Sequence, residues 1–260
     1  MPDNNGALGF SYNGEHSSAY GIVTRSLDLP FVAESKTAVL DVPDRDGSYV
    51  FTNPSGDVYY KESTIQLECK ILARNITSIN QKLAIIANWL ARNPQGRLTL
   101  DSVPDVYWEA RLFTGLHFTP LYNGISATFV ISFAVFPFSL SVELETQTIQ
   151  PGGTYSGINK GRPTPIKITA TGGTSSGSLV KVSLAQAGTQ TQETLYNNIY
   201  DSITIDADTA TAVDNAGTNL IRYLTGDFIT MPNGAYTITN LSTTAVTCSW
   251  RERWFYGKIE

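Results

Sequence analysis

Charge is scarce in this 260-residue chain: Asp, Glu, Lys and Arg make up 16% of it, well under the roughly 25% of an average soluble domain. What charge there is leans acidic, with 18 Lys and Arg against 23 Asp and Glu and a net of -5. Such a chain has no basic field with which to release counterions from a phosphate backbone, so nucleic acid is excluded as a specific ligand. Only two cysteines occur, Cys69 and Cys248, far apart and each inside an alternating apolar pattern. They read as two buried thiols in strands, which excludes a disulfide framework or a zinc knuckle. Long apolar runs are missing as well. The richest, Ala127 to Leu140, is broken by Thr128, Ser132, Pro137 and Ser139 and falls short of the ~18 residues that span a bilayer. The opening text, MPDNNGALGFSYNGEH, lacks a basic cluster followed by an apolar core, which predicts a soluble protein made in the cytoplasm of its host cell.

Catalytic vocabulary is equally thin. Of side chains that titrate near neutrality there are two, His16 and His117, and neither sits in a nucleophile motif. No Gly-x-Ser-x-Gly elbow occurs. The glycine-rich stretch from Pro151 to Gly161 continues into Arg162-Pro163, where a phosphate loop would need Gly-Lys-Ser/Thr opening a helix. Val42-Pro43-Asp44-Arg45-Asp46-Gly47 fails as a calcium loop, because Gly47 as the turn glycine puts Val42 at the first ligand position and Asn53 at the last. We therefore expect no enzyme, no cofactor and no metal.

What the chain has is β-pattern, with one helix. From Asn75 through Asn93, Ile76, Ile79, Leu83, Ile86 and Leu90 recur three and four apart, with Trp89 bordering the stripe. Asn75, Thr77 or Ser78 supplies an N-cap oxygen, and Asn93-Pro94 with Gly96 ends the helix. Ahead of it Ile65, Leu67, Cys69 and Ile71 alternate with polar residues, and behind it come Arg97 to Leu100, Val106 to Leu112, and Phe129, Ile131, Phe133 and Val135. These predict an α+β unit with the helix lying across a sheet. After Pro137 the text becomes rich in Thr, Ser and Gly, with short strands at Ile166 and Ile168, at Val180 to Leu184, at Ile203 and Ile205, at Phe228 to Met231 and at Tyr236 and Ile238. A final strand is predicted to keep Val246, Cys248, Trp250, Trp254 and Tyr256 in step. The fold class expected is mainly β with one amphipathic helix: an N-terminal α+β domain over 1–138 and a C-terminal β-sandwich of galectin-like or jelly-roll type over 139–260.

The text from Phe10 to Val23, FSYNGEHSSAYGIV, resembles the opening of the distal tail (Dit) proteins of long-tailed phages and prophages of Gram-positive bacteria. Further pieces follow in that family's order: the turn Val42 to Gly47, the strand Ile65 to Ile71, Trp89-Leu90 at the helix end, and Asp101-Ser-Val-Pro104-Asp105-Val-Tyr107. Together they cover residues 10 to 137. The chain departs from the family at Asp44, where glycine is usual.

The resemblance implies a structural virion protein at the tail tip, a hexameric ring built by the N-terminal domains. It would join the tail-tube protein to a tail-associated tip protein, leave DNA a path through, and allow receptor-binding proteins at the periphery. No membrane partner is implied. A ring needs one patch to meet a different patch on the next copy, and the polar arm from Asp41 to Ser55, with Val42, Asp44, Arg45, Asp46 and Gly47 at its turn, is the candidate for that contact or for the lumen. A solvated hairpin of no special role is the plain alternative. The competing function is a carbohydrate-binding sandwich for host cell-wall glycan, with Tyr196, Tyr200, Tyr223, Trp250 or Trp254 stacking on sugar rings, although aromatics at period two are more often core. A tail-tip hydrolase is a third reading, for which no carboxylate is nominated.

Overall fold

The computed structural model describes residues 9–258, apart from 42, 45, 52–57, 94, 114–116, 121–124, 172–177, 187–191, 200 and 201. The chain divides into two compact units: Met1–Leu140 with Phe255–Gly257, and Ser141–Trp254 with Lys258–Glu260.

The first unit holds β1 (Phe10–Tyr12), β2 (Glu15–His16), β3 (Ile22–Asp28), β4 (Ala38–Asp41), β5 (Ser48–Phe51), β6 (Ser63–Leu72), helix α1 (Ile76–Arg92), β7 (Gln95–Leu100), β8 (Val103–Leu112), β9 (Phe118–Pro120) and β10 (Ser126–Val135), with β11 (Ser139–Ser141) where the chain passes to the second unit. Its sheet runs β2-β1-β7-β8-β10-β6-β3, with β9 beside β10. The centre is the ten-residue antiparallel pairing of β10 with β6, which sets Phe129 opposite Cys69, Ile131 opposite Leu67 and Phe133 opposite Ile65. All six are buried, so a slip of one residue would turn each row to the opposite face.

Helix α1 starts as its sequence dictates. Asn75 adopts an extended backbone and its Oδ1 accepts the N–H of Ser78 at 2.9 Å, satisfying one of the unpaired donors of the first turn. Ile79, Ile86, Trp89 and Leu90 are buried, each worth on the order of 1.5–3 kcal/mol against exposure. The expected stripe shifts in two places: Ile76 is half exposed, and Trp89 is inside the stripe.

The second unit holds β12 (Glu145–Ile149), β13 (Thr154–Asn159), β14 (Thr164–Pro165), β15 (Lys167–Thr171), β16 (Ser178–Gln186), β17 (Gln192–Ile199), β18 (Ser202–Asp206), β19 (Thr211–Val213), β20 (Leu224–Gly226), β21 (Thr230–Met231), β22 (Gly234–Asn240), β23 (Val246–Trp250) and β24 (Arg253–Trp254). Two five-stranded sheets, β12-β23-β15-β18-β19 and β13-β22-β16-β17-β20, share one core in which Ile168, Ile203, Ile205, Val246 and Cys248 meet Val180, Val182, Leu184 and Ile238. The fold is mainly β with a single α-helix among the described residues, and the second unit is a β-sandwich.

The strand predicted to run from Val246 to Tyr256 instead stops at Trp250. Arg251 turns its guanidinium to the carbonyls of Ser141 and Val142, and the Glu252 carbonyl accepts the N–H of Ser141 at 2.9 Å. Those bonds end the ladder, and Phe255–Gly257 then belongs to the first unit. There Phe255 lies edge-on to Tyr60 with centroids 5.0 Å apart and tilted against Phe138 at 5.4 Å, and Tyr256 sits 5.7 Å from Phe31.

Candidate functional site

The segment Phe10 to Val23 folds into one corner. Asn13 and Gly14, at φ 54° and 81°, close a two-residue hairpin between Tyr12 and Glu15, the type I′ turn for which Asn-Gly is best suited. The Asn13 side chain lies over Gly96, where a Cβ would stand 1.6 Å from its Oδ1. Gly96 is therefore required for that approach. A short 3₁₀ turn, Ser17–Tyr20, follows and ends on Gly21 at φ 66°.

Side chains then tie the corner to distant elements. His16 Nε2 is 3.0 Å from Asp101 Oδ2, and Nδ1 is 2.7 Å from Ser18 Oγ and accepts the backbone N–H of Ser18 at 3.2 Å. The order Ser-His-Asp has the outline of a catalytic triad. Here, however, the serine is two residues from the histidine and its own N–H caps the same nitrogen, which is the geometry of a local turn lock. Glu15 accepts from the Tyr20 hydroxyl and pairs with Arg92 at 3.0 Å. Tyr20 stacks on Trp89 at 4.2 Å and 14°, and Phe10 stacks on the same indole at 5.9 Å. The Tyr12 hydroxyl donates to the carbonyl of Asn93. Asp101, beginning the Asp-x-x-Pro-Asp-x-Tyr text, sits in the tight turn between β7 and β8, where Leu100 pairs with Val103. Three separated sequence motifs thus meet to hold the end of α1 against the sheet, and their chemistry is positional.

The arm is a separate feature. β4 and β5 pair antiparallel, Ala38 opposite Phe51 through Asp41 opposite Ser48, and form a two-stranded sheet of their own. Ser48 Oγ donates to Asp41 Oδ1. Asp44 has φ 63° and Gly47 φ 77°, so both occupy the left-handed region. That explains why glycine suits position 44, and why aspartate, which tolerates this conformation better than most residues, is an acceptable replacement. Leu40 and Phe51 are exposed. A lone two-stranded hairpin is marginal in water. Asp46 is exposed beside the turn, and Val42 and Arg45 lie outside the described residues.

On the first unit's sheet, a cleft of about 800 Å³ opens among Gln95, Arg97, Glu109, Arg111, Glu62 and Phe136. Arg111 pairs with Glu62 at 2.6 Å, and the Arg97 guanidinium lies 4.6 Å over the Tyr107 ring. Its two cations are thereby already engaged by partners within the unit.

The aromatic candidates of the second unit are mostly core. Tyr196, Trp250 and Trp254 are 4%, 5% and 4% exposed. Trp250 packs against Tyr155 and Tyr236, so a sugar ring would find no free face on these three. Tyr223 is 46% exposed, with the Arg222 guanidinium 4.5 Å over its ring and Tyr196 edge-on. Tyr200 lies outside the described residues. Cys69 and Cys248 are buried free thiols, and burial pushes both up to about 12. His117 is exposed. Among the described residues no group of three or more His, Cys, Asp or Glu could hold a metal ion, and no helix is long and apolar enough to cross a membrane.

Comparison with known proteins defines the class first. Residues 20–135, which lie within the first unit, match the phage tail protein RIFT-related domain. In fold the chain is similar to the Dit (gp 19.1) protein of SPP1, described as a paradigm of the hub adsorption apparatus in phages infecting Gram-positive bacteria. The two are 13% identical, with 95% of this chain and 99% of that one covered at a TM-score of 0.73. Chains of the phage P2 baseplate in its activated conformation are also similar. The form with Ca is 10% identical over 91% and 92% at a TM-score of 0.51, and the form with Sr 11% over 89% and 91% at 0.50. No curated protein matches the chain. The resemblance to the distal tail family read from the N-terminal text is borne out by the domain match and the shared fold.

Proposed function

We propose that the chain is a distal tail hub: six copies form a ring through their first units, between the last tail-tube ring on one side and a tail-associated tip protein on the other. The observation that carries this reading is the joint match, a phage tail domain over residues 20–135 within a chain whose fold is similar to that of the SPP1 Dit protein across 95% of its length. Its place is the virion tail tip, after synthesis in the host cytoplasm, and its role is structural. The arm supports a head-to-tail ring, since a separate two-stranded hairpin with exposed Leu40 and Phe51 offers one surface for a different surface of the next copy.

DNA leaving a capsid through such a ring would be held back by a basic lumen, and an acidic chain avoids that attraction. Lys61 fits, because its ammonium is paired with Glu34 at 2.6 Å. The glycan-binding alternative loses support from the burial of Tyr196, Trp250 and Trp254. Electron microscopy of the purified chain, alone and with tube and tip proteins, tests the reading: six-fold rings support it, and single copies under every condition defeat it. A ring with a continuous positive belt at Arg45 and Lys61 would overturn the proposed lumen.

A further inference from the structure

The second unit's two sheets have four edges, and three are blunted. β19 is covered by its own chain, with Val213 bridged to Asn219 and Leu220 N–H donating to Ala212 O at 2.7 Å. β20 is three residues long and ends at Gly226, φ 97°. β12 opens on the carboxylate of Glu145. Short strands, covering loops and charges are the usual defences of an exposed edge. Among the described residues β13 has none of them: Thr154, Tyr155, Ser156, Gly157, Ile158 and Asn159 carry no charge and no proline, and Ile158 is 69% exposed.

The hydrogen-bond phase of that edge follows from its start. Asn240 N–H donates to Gly153 O at 3.0 Å, and Gly153 stands one residue before the pair Thr154–Thr239. Antiparallel bonding alternates, so Tyr155 and Gly157 turn their polar groups to β22, while the N–H and C=O of Thr154, Ser156 and Ile158 face outward. On the sheet's outer face, beside the same edge, a groove of about 510 Å³ is lined by Ser156, Ile158, Ala185, Ala235 and Thr237 among other uncharged residues. Below the edge, Tyr155 reaches the core rings of Tyr236 and Trp250.

We propose that β13 is a strand-addition site for an extended, uncharged segment of another protein of the same particle. A regular row of outward N–H and C=O groups is complementary to another extended backbone, and it specifies main-chain pairing. The uncharged groove specifies small or β-branched apolar side chains on one alternation, against Ile158. Apolar side chains on the other alternation would extend the core past Tyr155. This site rests on the hub reading for its setting.

Amide hydrogen exchange on the full chain, free and incorporated in tail tips, tests it. In the free chain the amides of Thr154, Ser156 and Ile158 exchange close to unprotected rates, and in tail tips they slow at least 100-fold. Ser156→Pro removes an outward donor and leaves the β22-facing bonds intact, and Ile158→Lys charges the groove. Both variants are expected to keep the exchange protection of β16 and β22 and to lose the added protection at β13. Incorporation with no slowing at these amides overturns the site while leaving the hub standing, as do full slowing in both variants and equal slowing in rings of this chain alone, which would put a second copy on the edge. Failure of the chain to enter tail tips at all overturns both.

Discussion

Replacing Phe255 by alanine separates the two units energetically. Phe255 follows the second unit in sequence, yet its ring packs on Tyr60 at 5.0 Å and 76° and on Phe138 at 5.4 Å and 54°, inside the first unit. A fully buried Phe→Ala change costs ~3–5 kcal/mol, and each aromatic pair contributes ~0.5–1.5 kcal/mol beyond area. Because Phe255 is only partly buried, about 2 kcal/mol is the expected loss, or roughly 30-fold in the opening equilibrium of the first unit. Native-state hydrogen exchange reads it directly. Amides in the β6–β10 pairing should exchange ~30-fold faster in the variant, while those in the β15–β23 pairing should change less than about 2-fold. An equal loss in both units, or a loss confined to the sandwich, would refute the assignment of Phe255–Gly257 to the first unit.

Other substitutions test the sandwich. Gly226 has φ 97°, and a Cβ there would lie 2.1 Å from the Glu193 carbonyl oxygen, so Gly226→Ala should cost more than ~3 kcal/mol in thermal or urea unfolding of the second unit. Asn240 is fully buried, donates to the carbonyls of Ile149 and Thr244 and accepts from Ser242 N–H. Asn240→Ala strands three backbone groups, two of them buried, and should cost about 3 kcal/mol by chemical denaturation. Cys69 and Cys248, raised from 9.0 to about 12 by burial, should not react with a thiol reagent at pH 8 until the chain is unfolded. Because the folded values lie above the unfolded ones, their stabilisation is complete below pH 9 and is lost as pH rises toward 12, which a denaturation series in alkali would show.

Elements with a clear period could be read from the sequence, and for one reason. Ile65 to Ile71 and Phe129 to Val135 alternate because one face of each strand is buried, and Ile79, Ile86 and Leu90 recur at helical spacing because one face of α1 is buried. The corner was legible only as a resemblance. His16 and Asp101 are 85 residues apart, and Arg92 and Glu15 are 77 apart, so no local pattern joins them. The second passage of the chain between units was hidden for a different reason. Trp250, Trp254 and Tyr256 keep an even spacing that looks like one continuous strand, and it is the Arg251 and Glu252 bonds to residues over a hundred positions earlier that break it. The aromatic residues offered as a sugar platform show the same ambiguity. Period two marks a buried face and an exposed face alike, and for Tyr196 and Trp250 the buried one applies.

In the proposed function, the first unit docks head-to-tail on copies of itself around an open channel. Imaging of tail tips reconstituted from this chain with its tube and tip proteins addresses it most directly. A closed ring of six is expected, each first unit contributing the Ala38–Phe51 hairpin to a neighbour. Single or paired copies attached to the side of an otherwise complete tail would contradict it.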